Sequence, residues 1–94
     1  MAEDDRWGDI SYLKGGTHRW DVFVRLASGG PAIPSELADS LDKHPSRVSD
    51  ALSELEERDL VVLVAPEDQK KGRLRKVTDH GEKVWGLLQE QEMV

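Results

Sequence analysis

The chain has 94 residues, no cysteine, and 13 Lys+Arg against 19 Asp+Glu, for a formal net charge of −6. A chain of that length forms one small domain, with no room for separate catalytic and regulatory units, and without cysteine it has no disulfide, thiolate zinc site or cysteine nucleophile. No apolar run approaches the roughly 18 residues that span a bilayer, and the acidic start Met1-Ala2-Glu3-Asp4-Asp5-Arg6 is unlike a basic-then-apolar secretory signal, so a cytoplasmic location is expected.

In chain order, residues 1–8 read as a loosely held, flexible N-terminal segment, and residues 9–92 as a single domain. Ile10-Ser11-Tyr12-Leu13 suits a short strand or extended arm ending at Gly15-Gly16. Thr17 is a candidate N-cap, since its hydroxyl can accept from a free first-turn amide, and Asp21 follows where it suits the helix dipole. Trp20, Phe23, Val24 and Ala27 then recur at helical spacing, widened by Val22 and Leu26, so a first helix runs to about Ser28. Gly29-Gly30-Pro31 ends it. Pro34-Ser35-Glu36 opens a second, short helix with Leu37, Ala38 and Leu41 on its apolar face. After Asp42-Lys43-His44, Pro45 opens a third that carries Val48, Ala51, Leu52 and Leu55 inward and runs to about Arg58.

The period then changes. Leu60-Val61-Val62-Leu63-Val64 is short and β-branched, as in a strand. Residues 66–72 are turn-rich, and Arg73-Leu74-Arg75-Lys76-Val77 alternates as the return strand, with Leu74 opposite its charges. Thr78 caps a last helix whose buried stripe is Val84, Leu87 and Leu88, with Trp85 to its side.

Charge is divided along this plan. Lys70, Lys71, Arg73, Arg75 and Lys76 fall in one seven-residue window without an acid, leaving eight bases against 19 acids elsewhere, a balance of −11. A basic hairpin thus sits on an acidic body. The acid-rich, Ile-poor composition resembles that of proteins from salt-loving archaea, in which acidic surface keeps the fold hydrated.

Helix, helix, tight turn, helix, then a hairpin with a basic tip is the element order of a winged helix-turn-helix, an α+β, mainly α fold with a three-helix core, a wing and a C-terminal helix. Pro34-Ser35-Glu36-Leu37-Ala38, the run Ser46 to Val61, the wing Pro66 to Arg73 and Val77-Thr78-Asp79-His80-Gly81 together resemble the small archaeal winged-helix regulators related to the MarR and ArsR groups. That resemblance implies sequence-specific binding of duplex DNA, usually as a homodimer on a palindromic site.

The residues themselves nominate a site. At 100° per residue around the Val48 stripe, Ser46, Ser49, Asp50 and Ser53 project away from the core, with Arg47 at the edge. Arg47 suits guanine or phosphate, and the serines suit phosphate or either base. Asp50 stands where relatives often carry a base, so it either accepts from a cytosine amino group or repels the backbone. Asp59 stands where they often have glycine. Lys70, Lys71, Arg73 and Arg75, with Lys76 assisting, are expected on phosphates or in the minor groove. His44, before Pro45, can cap the third helix or touch phosphate. Trp20 and Phe23 read as core.

No enzymatic or metal site is expected: His18, His44 and His80 lack companions at ligand spacing, and no nucleophile–base pair can be named. Neither a cofactor nor a small-molecule ligand is called for. Trp7, Tyr12, Trp85 and Met93-Val94 exceed the apolar surface a small monomer needs, which points to a homodimer through the N-terminal arm and last helix. Two other functions fit the same fold: a protein-interaction module whose acidic body meets a basic partner, and an architectural DNA-binding protein without sequence preference.

Overall fold

Ile10 and Leu13 lie three residues apart and are both buried, a spacing that puts them on one face of a helix rather than on opposite faces of a strand. They are the core-facing residues of α1 (Arg6–Lys14). The expectation of a strand or arm here is therefore corrected, and α1 begins inside the stretch 1–8 expected to be loosely held. The structure is a computed structural model and describes residues 6–64 and 74–92.

Four more helices follow: α2 (Thr17–Gly29), α3 (Pro34–Leu41), α4 (Pro45–Glu57) and α5 (Asp79–Glu90), with strands β1 (Val61–Leu63) and β2 (Arg75–Val77) between the last two. Thr17 is not the cap of α2. Gly16 holds that place in extended conformation and Thr17 is already helical, with no side-chain cap. Gly30, at φ 90°, turns the chain out of α2 in a conformation that glycine adopts at little cost. The Glu36 carboxylate accepts from the Ile33 amide at 3.2 Å and secures the start of α3. Asp42, left-handed at φ 57°, makes the tight turn between α3 and α4.

Phe23, Val22 and Leu26 of α2 lie in a core with Leu37 of α3, Val48, Ala51, Leu52 and Leu55 of α4, and Val84 and Leu88 of α5. Each of these Val, Leu and Phe side chains contributes about 1.5–3 kcal/mol over an exposed one. Two aromatic residues expected at the surface are instead engaged. Trp85 is half-buried and meets Phe23 edge-on, with ring centroids 6.4 Å apart. The Tyr12 ring carries the guanidinium groups of Arg19 at 3.9 Å and Arg58 at 4.6 Å. Trp7 does remain at the surface, 49% exposed.

The strands pair antiparallel, Val61 with Val77, Val62 with Lys76 and Leu63 with Arg75. Ala32 adds a bridge on the other side of β2, exchanging both backbone hydrogen bonds with Arg75. Leu60 was expected in the strand but lies outside it. Its amide bonds back to Leu55 at 2.9 Å and its carbonyl accepts from Thr78 at 3.0 Å, so it terminates α4 and anchors the return of the hairpin. Thr78 caps α5 as expected, accepting from the Gly81 amide at 2.9 Å while donating to the Asp59 carbonyl at 2.6 Å.

Gly81 packs directly against that junction, where a Cβ would collide with the Leu60 carbonyl and Val77 Cγ1. Backbone cannot yield there as a flexible side chain could. Gly81→Ala is therefore expected to lower stability by about 1–3 kcal/mol, read as a fall in the urea midpoint at unchanged slope.

Candidate nucleic-acid interface

Helix α4 has two sides. Its inner stripe, Val48, Ala51, Leu52 and Leu55, is buried, whereas Ser46, Arg47, Ser49, Asp50 and Ser53 are all exposed. The side chains of Arg47, Ser49, Asp50 and Ser53 have no hydrogen-bond or ionic partner among the described residues. Three serines at the near end let another surface approach closely. Ser46 is tied locally: His44 Nδ1 accepts from the Ser46 amide at 3.1 Å and lies 2.9 Å from its Oγ. His44 is thus the N-cap of α4, one of the two roles its position allowed.

Three acids around this face are neutralised, whereas Glu57, at its far end, is exposed without a partner among the described residues. Glu54 pairs with Arg19 at 3.0 Å and Asp21 with Lys43 at 3.0 Å, while Glu56 pairs with Arg75. Lys43 Nζ also lies 3.0 Å from His18 Nδ1. Arg47 and Asp50 line a cleft with Gly16, Thr17, His18 and Arg19 at the start of α2. The exposed face of α4 therefore continues onto the first turn of α2.

The hairpin is where the sequence places the second half of the candidate site. Lys70, Lys71 and Arg73 lie outside the described residues. Lys76 is exposed. Arg75, expected at phosphate, is turned the other way: its side chain is only 13% exposed and its Nε donates to Glu56. Its neighbours explain this, because in the strand alternation Arg75 shares the inward face with buried Val77.

The polar chemistry that holds α4 from behind is not legible in the pattern of residues. Asp9 is 5% exposed. Its Oδ1 accepts from Arg58 Nε at 3.1 Å and lies 3.0 Å from Arg58 NH2, while its Oδ2 meets His80 Nε2 at 2.6 Å. Arg19 gives Nε and NH2 to the Tyr12 carbonyl, at 3.0 and 2.7 Å, and NH1 to Glu54. The signal that could have found them is a helical reading of residues 6–14, which puts Asp9 beside Ile10 and Leu13 on the inner side. Among the described residues no group of acids and histidines is placed to hold a metal ion, and no helix is long and apolar enough to cross a membrane.

No protein-family model and no curated protein matches the sequence. Solved structures do match in fold. A MarR-like transcriptional regulator from Thermotoga maritima superposes with a TM-score of 0.78 at 22% identity, over 99% of this chain and 62% of that one. A MarR family regulator from Neisseria meningitidis gives 0.73 at 20% identity, over 95% and 61%. A mutant MarR from E. coli complexed with operator DNA gives 0.72 at 20%, over 85% and 57%. The chain thus has the winged helix-turn-helix fold, and it spans about three fifths of the length of these structures.

The cap on α4 is open to a direct test. His44→Ala is expected to cost about 1 kcal/mol of stability, and His44→Asn, which restores a preferred cap, to recover most of it. Equal losses in the two variants on chemical denaturation would mean that the imidazole does not cap this helix.

Proposed function

We propose that this chain is a sequence-specific duplex-DNA-binding transcriptional regulator of the MarR-like kind, not an enzyme, working in the cytoplasm as a homodimer. The observation that carries the reading is the outer face of α4, where Arg47, Ser49, Asp50 and Ser53 are exposed and partnerless although Asp21, Glu54 and Glu56 beside it are paired. A helix held so firmly from behind, with its polar outer face left bare, is built to enter a groove. The likeness in fold to a MarR solved with operator DNA supports the same conclusion.

In this reading Ser46, Arg47, Ser49, Asp50 and Ser53 meet base edges and the adjoining phosphates in the major groove. Lys70, Lys71 and Arg73 meet phosphates or the minor groove beside it, with Lys76 assisting. Arg75 contributes by fixing β2 to α4 through Glu56, so the wing leaves the body at a set angle. Affinity rests on the wing and specificity on the helix. The acid-rich body suits the salt-rich cytoplasm of an archaeon, where at about 1 M salt the screening length is only ~3 Å and close-fitting contacts matter more than long-range attraction.

The dimer is assigned to α1 and α5, which pack together and carry the two ends of the described chain. Trp7, 49% exposed on α1, is the aromatic side chain left for a second copy to cover. A two-fold dimer would present two α4 helices to a palindromic site.

Charge reversal at Lys70 and Lys71 is expected to weaken binding to all duplexes alike and to flatten the salt dependence by about one unit of slope per lost phosphate contact. Arg47→Ala should instead relax preference at one base position, by about 1–3 kcal/mol of discrimination. Mobility-shift titrations at several salt concentrations separate the two, and unchanged affinity in both variants would sink the mechanism. Sedimentation at micromolar concentration and high salt should show a dimer, which Trp7→Ser shifts toward monomer.

A further inference from the structure

Asp50 is the one acid in the first two turns of α4, and among the described residues nothing neutralises it; Glu57, exposed and likewise without a partner, lies two turns further on. Glu54, one turn later, has Arg19, and Asp21 across the cleft has Lys43. Asp50 has no partner among the described residues, although Arg47, also without a partner, is three residues away on the same side of the helix, where side chains are neighbours. On a face meant for polyanionic DNA, a bare carboxylate weakens binding to every sequence unless it finds a donor.

The major groove offers only two base donors, the amino groups of cytosine and adenine. In an A·T pair that amino group lies between two acceptors, adenine N7 and thymine O4, both of which repel a carboxylate. In a C·G pair it is flanked by guanine O6 on one side and an apolar C–H on the other. Guanine O6 and N7 are the preferred acceptors for arginine. A guanidinium and a carboxylate side by side thus match the C·G edge, each cancelling the repulsion the other would feel.

We propose that Asp50 is a specificity-determining residue that accepts from the amino group of cytosine, while Arg47 reads the guanine of the same or the neighbouring C·G pair. The assignment rests on the DNA-binding reading above. Asp50 acts in both directions: it is satisfied at cytosine and penalises other bases, so its charge lowers non-specific affinity and raises discrimination.

The test is selection from random duplexes by the wild-type protein, Asp50→Ala and Asp50→Asn, with binding to an unrelated duplex measured in parallel. Asp50 is exposed and partnerless, so neither change disturbs the fold. The wild-type half-site should contain C·G at the Asp50 position. Asp50→Ala should lose about 5- to 100-fold of discrimination there while binding the unrelated duplex more tightly. Asp50→Asn, a bidentate partner for adenine, should move the preference from cytosine toward adenine. If the wild-type protein selects a site and Asp50→Ala selects the same one, the inference is overturned and the DNA-binding reading stands. If the wild-type protein binds no duplex or shows no preference, both the inference and the sequence-specific reading fall.

Discussion

A single buried carboxylate decides how the two ends of this chain are joined to its middle. Asp9 lies on α1, Arg58 follows the end of α4, and His80 is in the first turn of α5, and all three meet inside one network. A carboxylate removed from water is costly unless its oxygens are satisfied, so Asp9 holds both partners to a narrow range of positions. Arg58 also lies over Tyr12, whose carbonyl binds Arg19, which in turn holds Glu54. Helix α4 is thereby gripped at Glu54, Glu56 and Arg58 on its polar flank and at Val48, Ala51, Leu52 and Leu55 on its apolar one. What is left unattached is the outer face of its first two turns.

The same ion pairs bear on the net charge of −6, which taken as an average argues against an anionic partner. An average of charge ignores which acids are spoken for. Asp9, Asp21, Glu54 and Glu56 each share a cation, so these four present little isolated negative field. Asp9 apart, each pair has its carboxylate about a third or more open to water, and pairs near the surface add only about 0–1 kcal/mol to stability. Here their larger effect is electrostatic: they discharge the surroundings of a face whose own remaining charges are Arg47, Asp50 and, at its far end, Glu57.

The parts of the fold legible in the sequence were those with strong local signals. Proline at the start of α3 and α4, and an unambiguous apolar stripe in α4, gave both helices within a residue, and Thr78 marked α5. Helix α1 was illegible because only Ile10 and Leu13 of its inward residues are apolar; the third is Asp9, which pattern reading places outside. At the start of α2 a good capping residue, Thr17, sits beside glycine, yet it is Gly16, in ordinary extended conformation, that takes the cap position, with no side-chain cap. In the candidate site the exposed face of α4 followed from helical geometry alone. Arg75 did not, since its membership of a basic run hid the strand alternation that turns it toward Glu56. Tyr12 and Trp85 were counted as spare apolar surface because sequence shows no contact made across the fold, such as the guanidinium groups over Tyr12 or Phe23 against Trp85.

The passage from α4 into the hairpin fixes one half of the site relative to the other. Asp59 takes the left-handed conformation at φ 61°, the place where glycine is the easier choice; Asp is among the few side chains that tolerate it. Its carbonyl then accepts from Thr78, and the next carbonyl, Leu60, from the Thr78 amide. The outgoing and returning strands are thus stitched together at the root of the hairpin, and the Ala32 bridge holds β2 from its other edge. The root of the hairpin cannot move independently of α4, because both are fastened to the same Leu55–Leu60 turn. The distance from the outer face of α4 to the base of the wing is therefore set before any partner arrives. A pre-set spacing spares the ordering cost that a loosely attached hairpin would add to association, and it lets a small domain with a modest core hold the exposed face of α4 and the base of the hairpin in register.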